Sequence, residues 1–152
     1  MRNKILFLLL TPLLAGCYQE VNDTINQGDE VLLDYGDFED LHLDWKNLFS
    51  PAKSQYFVYI YSISCGHCNH IKKEVLEFVN LNKESFYLIE YSGEIQTKSN
   101  VSETIGKEKI EEIFILGTPT LLGITNWSLS LNIAGESEIL NYLSGLPHRD
   151  TC

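Results

Sequence analysis

Positive charge is scarce in this chain. Its 152 residues carry 11 Lys and Arg against 21 Asp and Glu, a formal net charge of −10. A phosphate backbone is held by clustered Lys and Arg, so this balance argues against nucleic acid as the main partner. Long apolar runs are scarce as well. The longest lies at the N-terminus, and no internal stretch is long and apolar enough to span a membrane as a helix. There are four cysteines, too few for a disulfide scaffold. Neither an internal repeat nor a low-complexity segment is present. What remains is 44% hydrophobic and 21% charged, the composition of one folded domain of ordinary size.

The N-terminus reads as an address. Arg2 and Lys4 precede Ile5 to Ala15, apolar apart from Thr11 and Pro12. This run is too short for about 30 Å of hydrocarbon and suits the core of a secretion signal. It ends in Leu14-Ala15-Gly16-Cys17. That ending resembles the lipobox of bacterial lipoproteins, with small residues before the cut and a cysteine whose thiol takes the lipid. The resemblance implies a signal peptide over residues 1–16, a lipidated Cys17, and a lipid-anchored location on the extracytoplasmic face of the cell membrane. An ordinary secretory signal and an uncleaved anchor are the competing readings. A diacyl anchor holds stably, and disulfides persist outside the cytosol. The polar residues that follow suggest a flexible tether, placed at 17–37.

Periodicity then outlines the domain. Asp40 to Leu43 suggests a short strand, with Val31 to Tyr35 as a rival. Asp44 is a candidate cap for a short helix with Trp45, Leu48 and Phe49, ended by Ser50-Pro51. Tyr56 to Ile63 is a β-branched and aromatic run without alternation, as in a central strand covered on both faces. Gly66 to Leu81 has the spacing of one amphipathic helix, with Ile71, Val75, Phe78 and Val79 on its apolar face. Phe86 to Tyr91 predicts a second strand, making a βαβ unit with parallel strands. Residues 92–102 read as a loop and Glu103 to Phe114 as a weaker helix, with Ile110, Ile113 and Phe114 inward. Thr120 to Ile124 and Leu129 to Ile133 form a hairpin about Asn126. A last helix covers Glu136 to Leu146, with Glu136 and Glu138 in its first turn, where the dipole favours negative charge.

The chemistry sits at Cys65-Gly66-His67-Cys68, the junction of the best strand and the best helix. Free N–H groups and the positive end of a helix stabilise an anion there. Cys65, at the first turn, is expected to ionise near neutral pH, and the thiolate is the nucleophile. Cys68 faces back toward it and is less exposed. Gly66 leaves room for a substrate chain, and His67 adds positive charge. Stabilising the thiolate stabilises the reduced form and makes the disulfide more oxidising. Zinc is the competing reading: the two cysteines supply two ligands and His67 or His70 a third. A closed zinc site takes four, and no second CxxC or HxxxH follows. A purely structural disulfide closing so short a loop would constrain the unfolded chain little.

Thr118-Pro119-Thr120 stands where the hairpin begins, and a proline there cannot donate to the ladder. CxxC after a central strand, a helix, a second strand, Thr-Pro before a hairpin, and a final helix together resemble the thioredoxin superfamily. CGHC itself resembles the motif of protein disulfide isomerases. The resemblance covers about residues 38–147, leaving 148–152 as a tail. It implies an α/β thioredoxin-like fold, a single domain with a central mixed β-sheet flanked by helices. It implies Cys65 as attacking and Cys68 as resolving cysteine, and Gly66 and His67 as the dipeptide that tunes the potential. It also implies a cis Pro119 facing the sulfurs and a Thr118 backbone that pairs with substrate. A looser likeness is to small thioredoxin-like proteins encoded with bacteriocin transport genes.

Two positions depart from that pattern. The buried acid often found six residues before the first cysteine is Tyr59 here, and the aromatic often found just before it is Ser64. The expected activity is thiol–disulfide exchange on exported or surface proteins, with oxidation or isomerisation favoured over reduction. The redox-active Cys65–Cys68 pair would need no metal or diffusible cofactor, and a membrane redox partner is possible. The other readings are a reductase fed by a membrane electron carrier and a non-catalytic accessory protein of an export or bacteriocin system. His70, Trp45, Trp127, Tyr56 and Tyr61 read as surface or packing residues, and Cys152 has no assigned role.

Overall fold

The computed structural model describes residues 32–146, all within the compact unit Val31–Cys152. The expected signal segment, Cys17, the tether as far as residue 31, and the tail with Cys152 lie outside the described residues.

Among the described residues four strands form one mixed sheet in the order β2-β1-β3-β4. They are β1 (Gln55–Tyr61), β2 (Phe86–Glu90), β3 (Thr120–Thr125) and β4 (Ser128–Ala134). β1 runs parallel to β2 and antiparallel to β3, and β3 and β4 form a hairpin. The central strand is the one whose sequence lacks alternation. Its successive residues point to opposite faces, and both sets are covered. Tyr59 pairs with Leu88 on one side and Leu121 on the other. At the hairpin tip Asn126 (φ 50°) and Trp127 (φ 60°) form a two-residue loop between Thr125 and Ser128. Positive φ at both positions is what a type I′ turn requires, matching the twist of the strands. Gly123 sits beside the irregularity in the β3–β4 ladder, where an added Cβ would lie 2.9 Å from Leu131 Cβ.

The sheet divides the core in two. On one face Tyr59, Leu88 and Leu121 meet Val75, Leu76 and Val79 of α2 (Lys72–Leu81) and Ile139 and Leu143 of α3 (Glu136–Ser144). On the other, Val58, Ile60, Leu122 and Ile124 meet Trp45, Leu48, Ile95, Ile113 and Ile115, all from loops and single 3₁₀ turns. Each such aliphatic side chain contributes roughly 1.5–3 kcal/mol by leaving water.

Several sequence expectations are corrected. The helix predicted over Gly66–Leu81 is two, α1 (Gly66–His70) and α2, broken at Ile71 (φ −103°, ψ 7°). Ile71 stays buried across the break, so the apolar period passes through it unmarked. Glu103 to Phe114 is not a helix. It contains 3₁₀ turns at Ser102–Thr104 and Ile110–Glu112 with Gly106 (φ 83°) between them. This segment is tied instead to β4: Gly106 N–H donates to Leu129 O (2.7 Å), and Asn132 Nδ2 donates to Thr104 Oγ1 and Phe114 O (3.0 Å each).

Asp40 and Leu41 close a 3₁₀ helix (Tyr35–Leu41) rather than opening a strand; only His42 bridges to Leu88. That helix carries a capping box between Asp34 and Asp37 and buries Tyr35, Phe38 and Leu41. The fold therefore begins by Asp34, earlier than the tether boundary at 37. The turn after Asp44 is a 3₁₀ helix (Trp45–Asn47), without a capping bond from the Asp44 side chain. The last helix stops at Ser144, leaving Leu146 half-buried beyond it.

Candidate active site

The cysteine pair lies where β1 hands over to α1. After Tyr61 the chain turns through Ser62–Ser64, and Cys65 N–H donates to Ser62 O (3.1 Å). Cys65 is extended (φ −86°, ψ 118°) and caps α1. Its Sγ accepts from Cys68 N–H (3.3 Å), a role that Ser, Thr, Asp or Asn usually fill at a helix start. The thiol is thus placed among N–H groups that have no partner within the helix. Cys68 is one turn on, fully buried in the helix-side core, whereas Cys65 is half-buried. Both are free thiols.

The two thiols are driven apart electrostatically. Burial opposes ionisation of Cys65, but hydrogen bonds from Cys68, from Thr118 and from the backbone N–H groups of Cys68 and His67 outweigh it and lower its pKa. Burial raises the Cys68 thiol to about 11, helped by its hydrogen bond with Cys65. Of the two, Cys65 is the thiol that ionises first and Cys68 the one that keeps its proton.

The Thr118–Pro119 peptide is cis. It brings the Thr118 carbonyl to 3.3 Å from Cys65 Sγ, where it accepts from the protonated thiol. Thr120 Oγ1 donates to Gly117 O (2.6 Å) and steadies this turn. Gly66 is exposed, with open space where a Cβ would point, so the approach to Cys65 is clear on that side. A shallow cleft of about 350 Å³ is lined by His67, Thr118, Pro119 and the start of α3, and Thr118 is the lining residue whose carbonyl meets Cys65 Sγ. A larger depression of about 600 Å³ lies around Gln55 and Asn82, at the other end of β1 from the cysteines.

His67 is the residue whose surroundings differ most from expectation. Its ring is exposed, and Nδ1 lies 2.5 Å from Glu136 Oε1, while Glu136 Oε2 lies 3.3 Å from His70 Nδ1. One carboxylate thus holds both histidines. The hydrogen bond to Glu136, then its charge, raises the His67 pKa; the same bond lowers that of Glu136 despite some desolvation. The positive charge expected to favour the Cys65 thiolate is largely matched by a negative one beside it. Sequence reading missed Glu136 as a site residue, because 69 positions separate it from His67 and its place in a first helical turn is explained by the dipole alone.

Tyr59 is fully buried beneath the cysteines, and its hydroxyl has no hydrogen-bond partner of acceptable geometry. Among the described residues no three His, Cys, Asp or Glu side chains gather in a metal-binding arrangement. Trp45 is packed in the loop-side core, Tyr56 donates to Leu48 O (2.6 Å), and Trp127 is half-exposed at the hairpin tip.

No protein-family model and no curated protein matches the chain. Among solved structures it is similar to thioredoxin f2 of Chlamydomonas reinhardtii, with 14% identity and a TM-score of 0.43 over 68% of this chain and 93% of that one. It is also similar to thioredoxin of Plasmodium falciparum (14%, TM-score 0.42, 68% and 91% covered). A third is mitochondrial thioredoxin 3 of Saccharomyces cerevisiae (12%, TM-score 0.41, 70% and 92%). By its own strand order and pairing the fold is thioredoxin-like, a four-stranded mixed sheet flanked by helices in a single domain.

Proposed function

We propose that this chain is a thiol–disulfide oxidoreductase acting through Cys65 and Cys68. The observation that carries this reading is the unequal thiol pair. One sulfur is accessible and held toward the thiolate; the other is buried, protonated and one turn away. The Cys65 thiolate attacks a substrate disulfide, forming one S–S bond, and one substrate thiolate leaves. Cys68 then attacks Cys65, the mixed disulfide breaks, and the second substrate thiol departs with a proton. The reverse sequence oxidises a substrate dithiol. Hydrogen bonds that favour the Cys65 thiolate stabilise the reduced protein, which supports the oxidising direction. Extended substrate would lie in the cleft against Thr118 and Pro119.

The apolar segment and the Leu14-Ala15-Gly16-Cys17 ending support a lipid-anchored, extracytoplasmic protein acting on exported or surface proteins. Replacing Cys17 by Ala is then expected to release the protein from the membrane.

The decisive experiment compares Cys65→Ser and Cys68→Ser. The first is expected to abolish exchange with a model disulfide, and the second to accumulate a mixed disulfide through Cys65. Retention of the cellular role by the double variant would replace this reading with that of a non-catalytic accessory protein. Acid quenching and thiol alkylation in cells fix the direction: a mainly oxidised pair marks a disulfide donor, a mainly reduced pair a reductase.

A further inference from the structure

The two sulfurs share a side chain. The cis peptide before Pro119 sets Thr118 against the cysteine pair, with its carbonyl 3.3 Å from Cys65 Sγ. The Thr118 hydroxyl is a hydrogen-bond donor to Cys65 and also to Cys68, and at each it favours the thiolate. Thr118 is half-buried and lines the cleft, whereas Cys68 is fully buried. The sulfurs also draw on the backbone: Cys65 on the N–H groups of Cys68 and His67, and Cys68 on that of Ser62. Each of those N–H groups is fixed and serves one sulfur. A hydroxyl turns about its own C–O bond and can serve either.

That freedom matters because the charge moves. In the resting dithiol the Cys65 S–H donates to the Thr118 carbonyl. Once Cys65 ionises, the carbonyl faces a negative sulfur and no longer helps it, and the hydroxyl of the same residue is the donor in place. A hydrogen bond to an ionised group is roughly twice as strong as one between neutral groups. When Cys65 is tied into a mixed disulfide it carries no charge, and the charge next appears on Cys68, which attacks as the thiolate. The cost is higher there, because burial holds the Cys68 thiol up at about 11. The two thiolates are not needed at the same moment, so one donor is enough for both. The other ionisable groups around the sulfurs bring no competing charge. Burial keeps the phenols of Tyr59 and Tyr35 protonated, and His67 at the rim is paired with Glu136.

We propose that the Thr118 hydroxyl is the shared donor of the exchange reaction, held first on the Cys65 thiolate and then on the Cys68 thiolate. This rests on the oxidoreductase reading above, and it gives a part to the side chain of a residue expected to act through its backbone. The Cys65 thiolate attacks the substrate disulfide. The bond from Cys65 to one substrate sulfur forms, the substrate S–S bond breaks, and the other sulfur leaves as a thiolate. The hydroxyl is then released to turn to Cys68. Cys68 loses its proton to solvent and attacks Cys65 Sγ. The Cys65–Cys68 bond forms, the bond from Cys65 to the substrate sulfur breaks, and the departing thiolate takes a proton from solvent. Two electrons have passed from the protein dithiol to the substrate disulfide. Because its hydroxyl meets both reacting sulfurs, Thr118 is a catalytic residue in this scheme.

The test compares Thr118→Val, which keeps the branched shape without the hydroxyl, with Thr118→Ser, which keeps the hydroxyl. Two quantities are read on reduced full-length protein. One is the pH midpoint of Cys65 alkylation. The other is the rate at which the mixed disulfide formed with oxidised glutathione is resolved, followed by acid quenching and mass. Thr118→Val is expected to raise the Cys65 midpoint by about one unit, as loss of a hydrogen bond to a charged group does. A like shift at Cys68 leaves about one-tenth of its thiolate. The greater nucleophilicity of a more basic sulfur returns about threefold, so resolution slows about threefold. Thr118→Ser is expected to stay near wild type in both. Ser64→Ala, which deletes a hydroxyl next to Cys65 that faces Ser62 Oγ (3.0 Å), is the control and moves neither. Folded Thr118→Val that moves neither quantity, or only one of them, overturns the proposal. So does Thr118→Ser displaced as far as Thr118→Val, since shape would then be the cause. Should Thr118→Val fail to fold, Thr118→Ala removes the same hydroxyl and decides in its place. If the wild-type protein forms no Cys65–Cys68 disulfide, the oxidoreductase reading itself fails, which is a different result from unmoved readings in the variants.

Discussion

The two faces of the sheet are equally dry but closed by different means. One is covered by α1, α2 and α3, whose backbone hydrogen bonds are internal, together with the 3₁₀ helix Tyr35–Leu41. The other is covered by loops and single 3₁₀ turns, and these must send their backbone groups somewhere. Ile115 N–H donates to Gln96 O (3.0 Å), Gly106 N–H to Leu129 O, and Asn132 reaches two further acceptors. Tyr56 on the loop side is satisfied by Leu48 O, whereas Tyr59 on the helix side is not. The helix side holds the sulfurs and two unsatisfied hydroxyls; on the loop side Asn132 Oδ1 is the buried side-chain atom left without a partner among the described residues. An irregular cover depends on side-chain and loop hydrogen bonds that a helical cover supplies internally.

Neighbouring leucines put this to the largest test. Leu121 and Leu122 are both fully buried, one on each face. Leu→Ala at either costs about 2–5 kcal/mol, more where the surroundings cannot collapse. Leu121→Ala is expected toward the upper end, against helices, and Leu122→Ala toward the lower, where loops can move in. Denaturant unfolding measures both, and a costlier Leu122→Ala would break the comparison.

Asn132→Ala comes next. It removes both side-chain bonds to the 102–114 segment, together with an Oδ1 that is itself buried without a partner. A cost of about 1–2 kcal/mol is expected, with faster amide exchange across that segment and little change in α2. Uniform acceleration over both faces would mean the loop cover is not a separate unit.

Deleting one hydroxyl from each face gives a smaller contrast of opposite sign. Tyr56→Phe strands the Leu48 carbonyl and is expected to cost about 1 kcal/mol. Tyr59→Phe removes a group that has no partner and is expected to be neutral or slightly stabilising in the resting protein. Thermal unfolding of both reduced proteins is the readout, and equal destabilisation would mean that Tyr59 is satisfied after all.

The same contrast explains what the sequence made legible. Strands β1 to β4, α3 and the Cys65–Cys68 junction follow from short-range pattern, because each buries one regular face. The loop-side cover has no period to read. Ile110, Ile113 and Phe114 imitate a helix because 3₁₀ turns and extended residues also bury every third or fourth side chain. Gly106 at φ 83° and the reach of Asn132 decide that segment, and the second of these is a contact between distant positions. The break at Ile71 was hidden because its side chain stays buried. Glu136 joins the site through a tertiary contact that no local pattern announces.

The smallest effect belongs to the rim of the helix-covered face, where Glu136 of α3 holds His67 and His70 of α1. The His67 pKa is raised above its ordinary 6.5, so its contribution to stability is complete below that value and is lost as pH rises through the folded pKa. The Glu136 pKa is lowered from 4.5, so its contribution is present above that value and is lost as pH falls through the folded pKa. The pair therefore acts most between those two ordinary values and fades on either side. Both groups face solvent, and salt screens them. Glu136→Gln is expected to move the His67 titration down toward its ordinary midpoint, read by proton NMR of the imidazole, while unfolding stability shifts only slightly and less still in high salt. An unmoved His67 midpoint would mean that the carboxylate does not hold the ring in solution, and His67 would then be free to act on Cys65 as its place in the CGHC motif implies.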